Sequence, residues 1–185
     1  MKKTFFLLLA VCMMPLFCGT VNAQSLIGTW ATDGKALLDD EDDVEAKKAE
    51  MLLTFNGKNS LTVTFDYLMA MNEDGMSGEI GVKGSVVGTY KKSGNELNIN
   101  CNKQSAKLDI YKVDINLTPE MEAALKVAGM TKQQLIKTVK DSMNPDEFAS
   151  SIESINGKLI INSLTAKQLV LTDSEDGTKL TFYRK

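Results

Sequence analysis

The chain contains one tryptophan and one arginine, and they stand near opposite ends of its strand-like sequence. Trp30 closes the run Leu26-Ile27-Gly28-Thr29-Trp30, and Arg184 closes Leu180-Thr181-Phe182-Tyr183-Arg184. Successive side chains on a strand point to opposite faces, so Gly28 and Trp30 share one face of the first run. Leu180, Phe182 and Arg184 share one face of the last. Pairing these two strands closes a sheet on itself and removes two exposed edges. It also lays the guanidinium over the indole, a cation–π contact of roughly 0.5–2 kcal/mol.

The sequence between them reads as short strands joined by tight turns. Met51 to Phe55 ends at the hairpin signal Asn56-Gly57. Leu61, Val63, Phe65, Tyr67, Met69 and Met71 then alternate with their neighbours, the clearest two-residue period in the chain. Asn72 to Gly75 turns the chain back into a glycine-containing run, Gly78 to Lys91, and Ser93-Gly94-Asn95 turns it again. Leu97, Ile99 and Cys101 share a face. Leu108 and Ile110 share another, but Tyr111, Val113, Ile115 and Leu117 continue on the opposite parity, which predicts a bulge near Ile110.

The rhythm becomes helical at Thr118-Pro119-Glu120, an N-cap followed by proline at the first helical position. A second helix is predicted from the capping box of Thr131 and Gln134, and a third, shorter one from Asn144, bearing Phe148 and Ile152. This insertion spans roughly 119–154. Strands resume over Lys158–Ser163, Gln168–Thr172 and Lys179–Arg184. The fold class is therefore mainly β, an antiparallel closed barrel of eight or nine strands with a short helical insertion before the last strands.

A Gly-x-Trp on the first strand, here Gly28 and Trp30, with an arginine ending the last, here Arg184, is the pairing shown by lipocalin-like, calycin-type proteins. This chain resembles them over its whole strand series. The resemblance implies an eight-stranded barrel around a small apolar or amphipathic ligand. It also implies a long first loop, here 33–50, arching over the mouth. One feature departs from the pattern: a typical member carries its main helix near the C-terminus, whereas here the helices interrupt the strands.

The 185-residue chain begins with Lys2 and Lys3, an apolar run from Phe5, and the small-residue site Val21-Asn22-Ala23. That pattern predicts a signal peptide over 1–23, a single barrel domain over 24–185, and export to a periplasmic or extracellular location. The apolar run is shorter than the ~20 residues a membrane helix needs, so no membrane span is expected. Bulky Phe17 before Cys18 argues against a lipoprotein site, where a small residue precedes the cysteine. With Lys2 and Lys3 gone, 21 basic residues become 19 against 24 acidic, and the net charge moves from −3 to −5. Such a chain lacks the basic footprint of nucleic-acid binding.

The chain has no histidine, which removes the usual general base and the commonest metal ligand. Carboxylates from Asp39 to Glu50 fall at several calcium-loop positions, but Val44 occupies the place of the required glycine. No cofactor, metal or catalytic residue is assigned, and the chain reads as a non-enzyme. Cys101 is the sole nucleophile to weigh, and on an apolar strand face it reads as a small buried residue. The candidate ligand-binding residues are Phe55, Phe65, Tyr67, Met69, Tyr90, Ile99, Cys101 and Phe182, with Gly28, Trp30 and Arg184 as structural closure. The alternative is a filled barrel serving as an envelope scaffold or inhibitor, contacting a protein partner through loop 33–50 or helices 119–154.

Overall fold

The computed structural model describes residues 25–33, 44–73, 75–143, 148 and 156–185. The segment 1–23 read as a signal peptide, the acidic run Asp39–Asp43 and, apart from Phe148, the expected third helix lie outside the described residues. Nine strands are described: β1 Gly28–Asp33, β2 Val44–Phe55, β3 Ser60–Glu73, β4 Met76–Ser93, β5 Glu96–Cys101, β6 Lys107–Leu117, β7 Gly157–Leu164, β8 Gln168–Asp173 and β9 Lys179–Arg184. Helices α1 Pro119–Val127 and α2 Lys132–Ser142 lie between β6 and β7. Both start as the sequence predicts, from the Thr118 cap and the Thr131–Gln134 capping box, and both pack against β6.

Eight strands close into an antiparallel ring in the order β1–β2–β3–β4–β5–β7–β8–β9, and β9 returns to β1. The ninth, β6, stands outside this order. At 18 residues, β4 is long enough to serve two neighbours along one edge: residues 76–85 pair with β6, and 88–93 with β5. β5 then pairs with β7, so the helical insertion spans the excursion from β6 back to the ring. The departure from a regular strand order is thus the detachment of β6.

The seam between β1 and β9 is short. Trp30 stands opposite Arg184 and Ala31 opposite Tyr183. Arg184 Cζ lies 4.9 Å from the centroid of the fully buried indole. Its guanidinium also donates to the carbonyl oxygens of Ser25, at 3.2 Å, and Ile27. The indole N–H donates to Leu26 O at 2.8 Å. Gly28 sits at φ +132°, a conformation that a residue with a β-carbon rarely adopts, and an added Cβ would stand 3.0 Å from Arg184 Nη2. Glycine, tryptophan and arginine therefore form one interlocked closure.

The register slip on β6 also appears. Gly81 pairs with Lys112 and Val82 with Ile110, which leaves Tyr111 as the extra residue. The bulge returns Val113, Ile115 and Leu117 to the face of Leu108 and Ile110 and turns Tyr111 outward. There its hydroxyl donates to Asp66 Oδ1 at 3.1 Å, shared with Tyr67 O at 3.3 Å. Burial draws the Asp66 carboxyl upward, but hydrogen bonds from Lys48 and Tyr111 outweigh it and hold the group below its ordinary value.

Two local expectations are corrected. Residues 44–50, read as part of the long first loop, form the first half of β2. A bulge between Ala46 and Lys48 interrupts their alternation and leaves both Lys47 and Lys48 exposed. The Asn56-Gly57 hairpin is also wider than that dipeptide suggests: a 3-10 turn over Gly57–Asn59 places Lys58 and Asn59, not Gly57, at positive φ.

Outside the barrel, Glu79 on β4 accepts from Lys112 on β6 and Lys47 on β2. These two ammonium groups, Lys112 first, bring its carboxyl down to about 2. A depressed carboxylate contributes stability above its unfolded value, and that contribution is lost as pH falls through the folded one. Urea midpoints should therefore fall between the ordinary glutamate value of 4.5 and about 2. Glu79→Gln should remove part of that fall. Arg184→Met should lower unfolding stability by about 1–2 kcal/mol in the same assay.

Candidate functional site

The barrel interior divides into a packed end and a hollow one. At the packed end Trp30, Phe55, Leu61, Leu97 and Leu169 are fully buried. Phe55 meets Tyr90 edge-to-face at 5.0 Å, and the Tyr90 hydroxyl donates to Asn56 O at 3.1 Å. Alternation along β1, β2, β3, β4, β5 and β8 brings these side chains inward from neighbouring strands, as a small barrel requires.

Toward the other end lies a cavity of about 410 Å³. Buried Leu53, Ile99 and Phe182 close its inner end, and Met51, Phe65, Leu159, Leu171 and Leu180 form its walls. Tyr67, Phe148, Asp173, Asp176 and Thr178 complete the lining around its mouth. Phe65 stacks on Tyr67 with ring centroids 6.1 Å apart and meets Phe148 edge-to-face at 6.4 Å. Gly84 makes room for that arrangement, since an added Cβ would stand 2.4 Å from the Phe148 ring. Burial pushes the Tyr67 hydroxyl above its ordinary value. No buried side-chain oxygen or nitrogen among the described residues lacks a hydrogen-bond partner, so that hydroxyl is not a sealed, unsatisfied group.

The acidic side of the mouth comes from the turn joining β8 to β9. Asp173 Oδ1 accepts from the backbone of Glu175 at 2.7 Å, and Asp176 Oδ1 from that of Thr178 at 2.7 Å. The backbone and then the side-chain hydrogen bond from Thr178 lower the Asp176 carboxyl below its ordinary range, so it is ionised near neutrality. Gly177, at φ +78°, lets the turn close.

Of the candidate ligand residues, Phe65, Tyr67, Ile99 and Phe182 line the cavity, whereas Phe55, Met69, Tyr90 and Cys101 do not. Phe55, Tyr90 and Cys101 belong to the packed core, and Met69 lies beyond the lining on β3. Gly28, Trp30 and Arg184 meet at the closure as expected. Sequence reasoning missed Phe148, which it placed on a helix without a target, and Asp173 and Asp176, which fall between the predicted strands Gln168–Thr172 and Lys179–Arg184. The strict inward parity of Leu159, Leu171 and Leu180 was a usable signal for the opposite wall.

Cys101 is a buried free cysteine, and burial pushes its thiol up, away from thiolate formation. Its backbone N–H donates to Asn156 Oδ1 at 2.5 Å. Among the described residues no group of histidine, cysteine, aspartate and glutamate side chains is arranged to hold a metal ion, and no helix is long and apolar enough to cross a membrane. No protein-family model matches this chain, and no curated protein matches it either. The architecture is consistent with a calycin-like barrel on its own geometry. A maleimide reagent should label Cys101 only after denaturation; stoichiometric labelling of the folded protein would contradict its assignment as a packing residue.

Proposed function

We propose that this chain is an exported, lipocalin-like container that holds a small apolar or amphipathic molecule inside its barrel and performs no chemistry on it. The observation that carries the reading is the hollow end of the barrel. Its volume of about 410 Å³ falls in the range of small-molecule sites, and its walls are apolar with a few polar groups gathered at one side. A barrel built only as a scaffold has no need of that space, because interior side chains of an eight-stranded barrel are large enough to fill it.

Lipocalin-like character is supported by the closure of Gly28, Trp30 and Arg184 together with the eight-stranded ring. Export is supported by the residues of segment 1–23. The scaffold alternative draws on Val127 and Met130, exposed near the junction of α1 and α2. Among the described residues of the insertion, these two side chains alone fall short of the several hundred Å² of apolar patch an interface presents.

Titration with the neutral fluorophore N-phenyl-1-naphthylamine tests the container reading. Saturable one-to-one binding is expected. Leu180→Trp, which places a larger ring in the cavity wall, should weaken it by at least about tenfold while the circular dichroism spectrum is retained. A protein that binds no apolar probe contradicts the reading.

A further inference from the structure

The polar groups of the cavity lie at one end and carry one sign of charge, which bears on the kind of ligand and rests on the container reading. Its inner half offers only apolar surface, so any polar part of a ligand must lie at the mouth. Two carboxylates, Asp173 and Asp176, stand there, and among the described residues no lysine or arginine lines the cavity. An anionic head, such as the carboxylate of a fatty acid, would meet like charge, with no counter-ion among the described lining residues, and lose its water in doing so. A cationic head would meet opposite charge. It would also meet the aromatic cluster of Phe65, Tyr67 and Phe148, and aromatic faces attract ammonium groups. Tyr67, which lines the cavity, adds a hydroxyl able to accept from an amine.

From these features we infer that the ligand is a cationic amphiphile, an alkyl or aryl amine or quaternary ammonium compound. Its apolar body lies between Met51, Leu171, Leu180 and Phe182, and its charged head sits between the Asp173–Asp176 turn and the aromatic rings. Neutral apolar molecules enter the same space without the added attraction. The carboxylates act by charge and position, so the preference is electrostatic and weakens as salt screens the mouth.

Competition among amphiphiles with one tail and three heads tests this. Dodecyltrimethylammonium, dodecanol and dodecanoate are each used to displace N-phenyl-1-naphthylamine from the purified protein, below their micellar concentrations. The cation should bind at least about tenfold more tightly than the carboxylate, with the alcohol between them. The ratio of cation to carboxylate affinity should shrink at high salt. In the double variant Asp173→Asn, Asp176→Asn it should fall several-fold, leaving the smaller preference that the aromatic rings provide. If dodecanoate binds as tightly as the cation, or more tightly, the charge inference is overturned while the container reading stands. If neither the fluorophore nor any of the three binds, both fall together. Should the double variant fail to fold, the three-head comparison in the unaltered protein still decides the matter.

Discussion

The contact of Arg184 with Trp30 is the condition on which this barrel depends. The β1–β9 seam has only two directly paired positions, far fewer than the long ladder between β3 and β4. So short a ladder gives little cohesion of its own. The guanidinium supplements it by covering the indole and donating to two carbonyl oxygens of the segment before β1. Those carbonyls precede the first strand and would otherwise face solvent at an edge. Gly28 makes the approach feasible by having no side chain where the guanidinium lies. Lysine could supply charge here but not the planar fork that spans the ring and the backbone together.

Closure produces an inside, and the lengths of the strands decide what fills it. β1, β8 and β9 have six residues each, whereas β2, β3 and β4 have 12, 14 and 18. Where all eight strands overlap, large side chains meet and exclude space. Where the short strands run out, the long ones continue, and the wall on that side is made by the β8–β9 turn and by Phe148. Unequal strand length therefore accounts for a solid end and a hollow end within one ring. The hollow end has an acidic turn on one side and aromatic rings on the other, a combination that follows from which elements happen to reach that far.

Much of this was legible in the residues. Trp30 and Arg184, each alone of its kind, declared the closure, and the unbroken alternation from Leu61 to Met71 declared the central strand. The parity change at Tyr111 announced its bulge, because one extra residue must invert every side chain beyond it. Other features were hidden for equally physical reasons. The first half of β2 is rich in alanine, lysine and glutamate, residues that favour helix, and its own bulge at Lys47 erases the two-residue period. The detachment of β6 could not be read, since alternation reports a strand's faces and says nothing about its neighbours. The same limit hid the cavity: inward parity identified Phe65, Tyr67, Ile99 and Phe182, but it also selected Phe55 and Tyr90, which lie where the ring is full.

The order of assembly follows from where the partners lie along the chain. β2, β3 and β4 join through successive hairpins and need only local encounters, whereas the pairing of Trp30 with Arg184 unites residues at opposite extremes of the strand series. The entropy of closing so large a loop must be met before this contact gives anything back, so local meanders form readily and the seam late. Until then β1 offers a naked margin to any neighbouring chain. A molecule whose integrity rests on Arg184 is thus most prone to self-association in the interval before β9 becomes available.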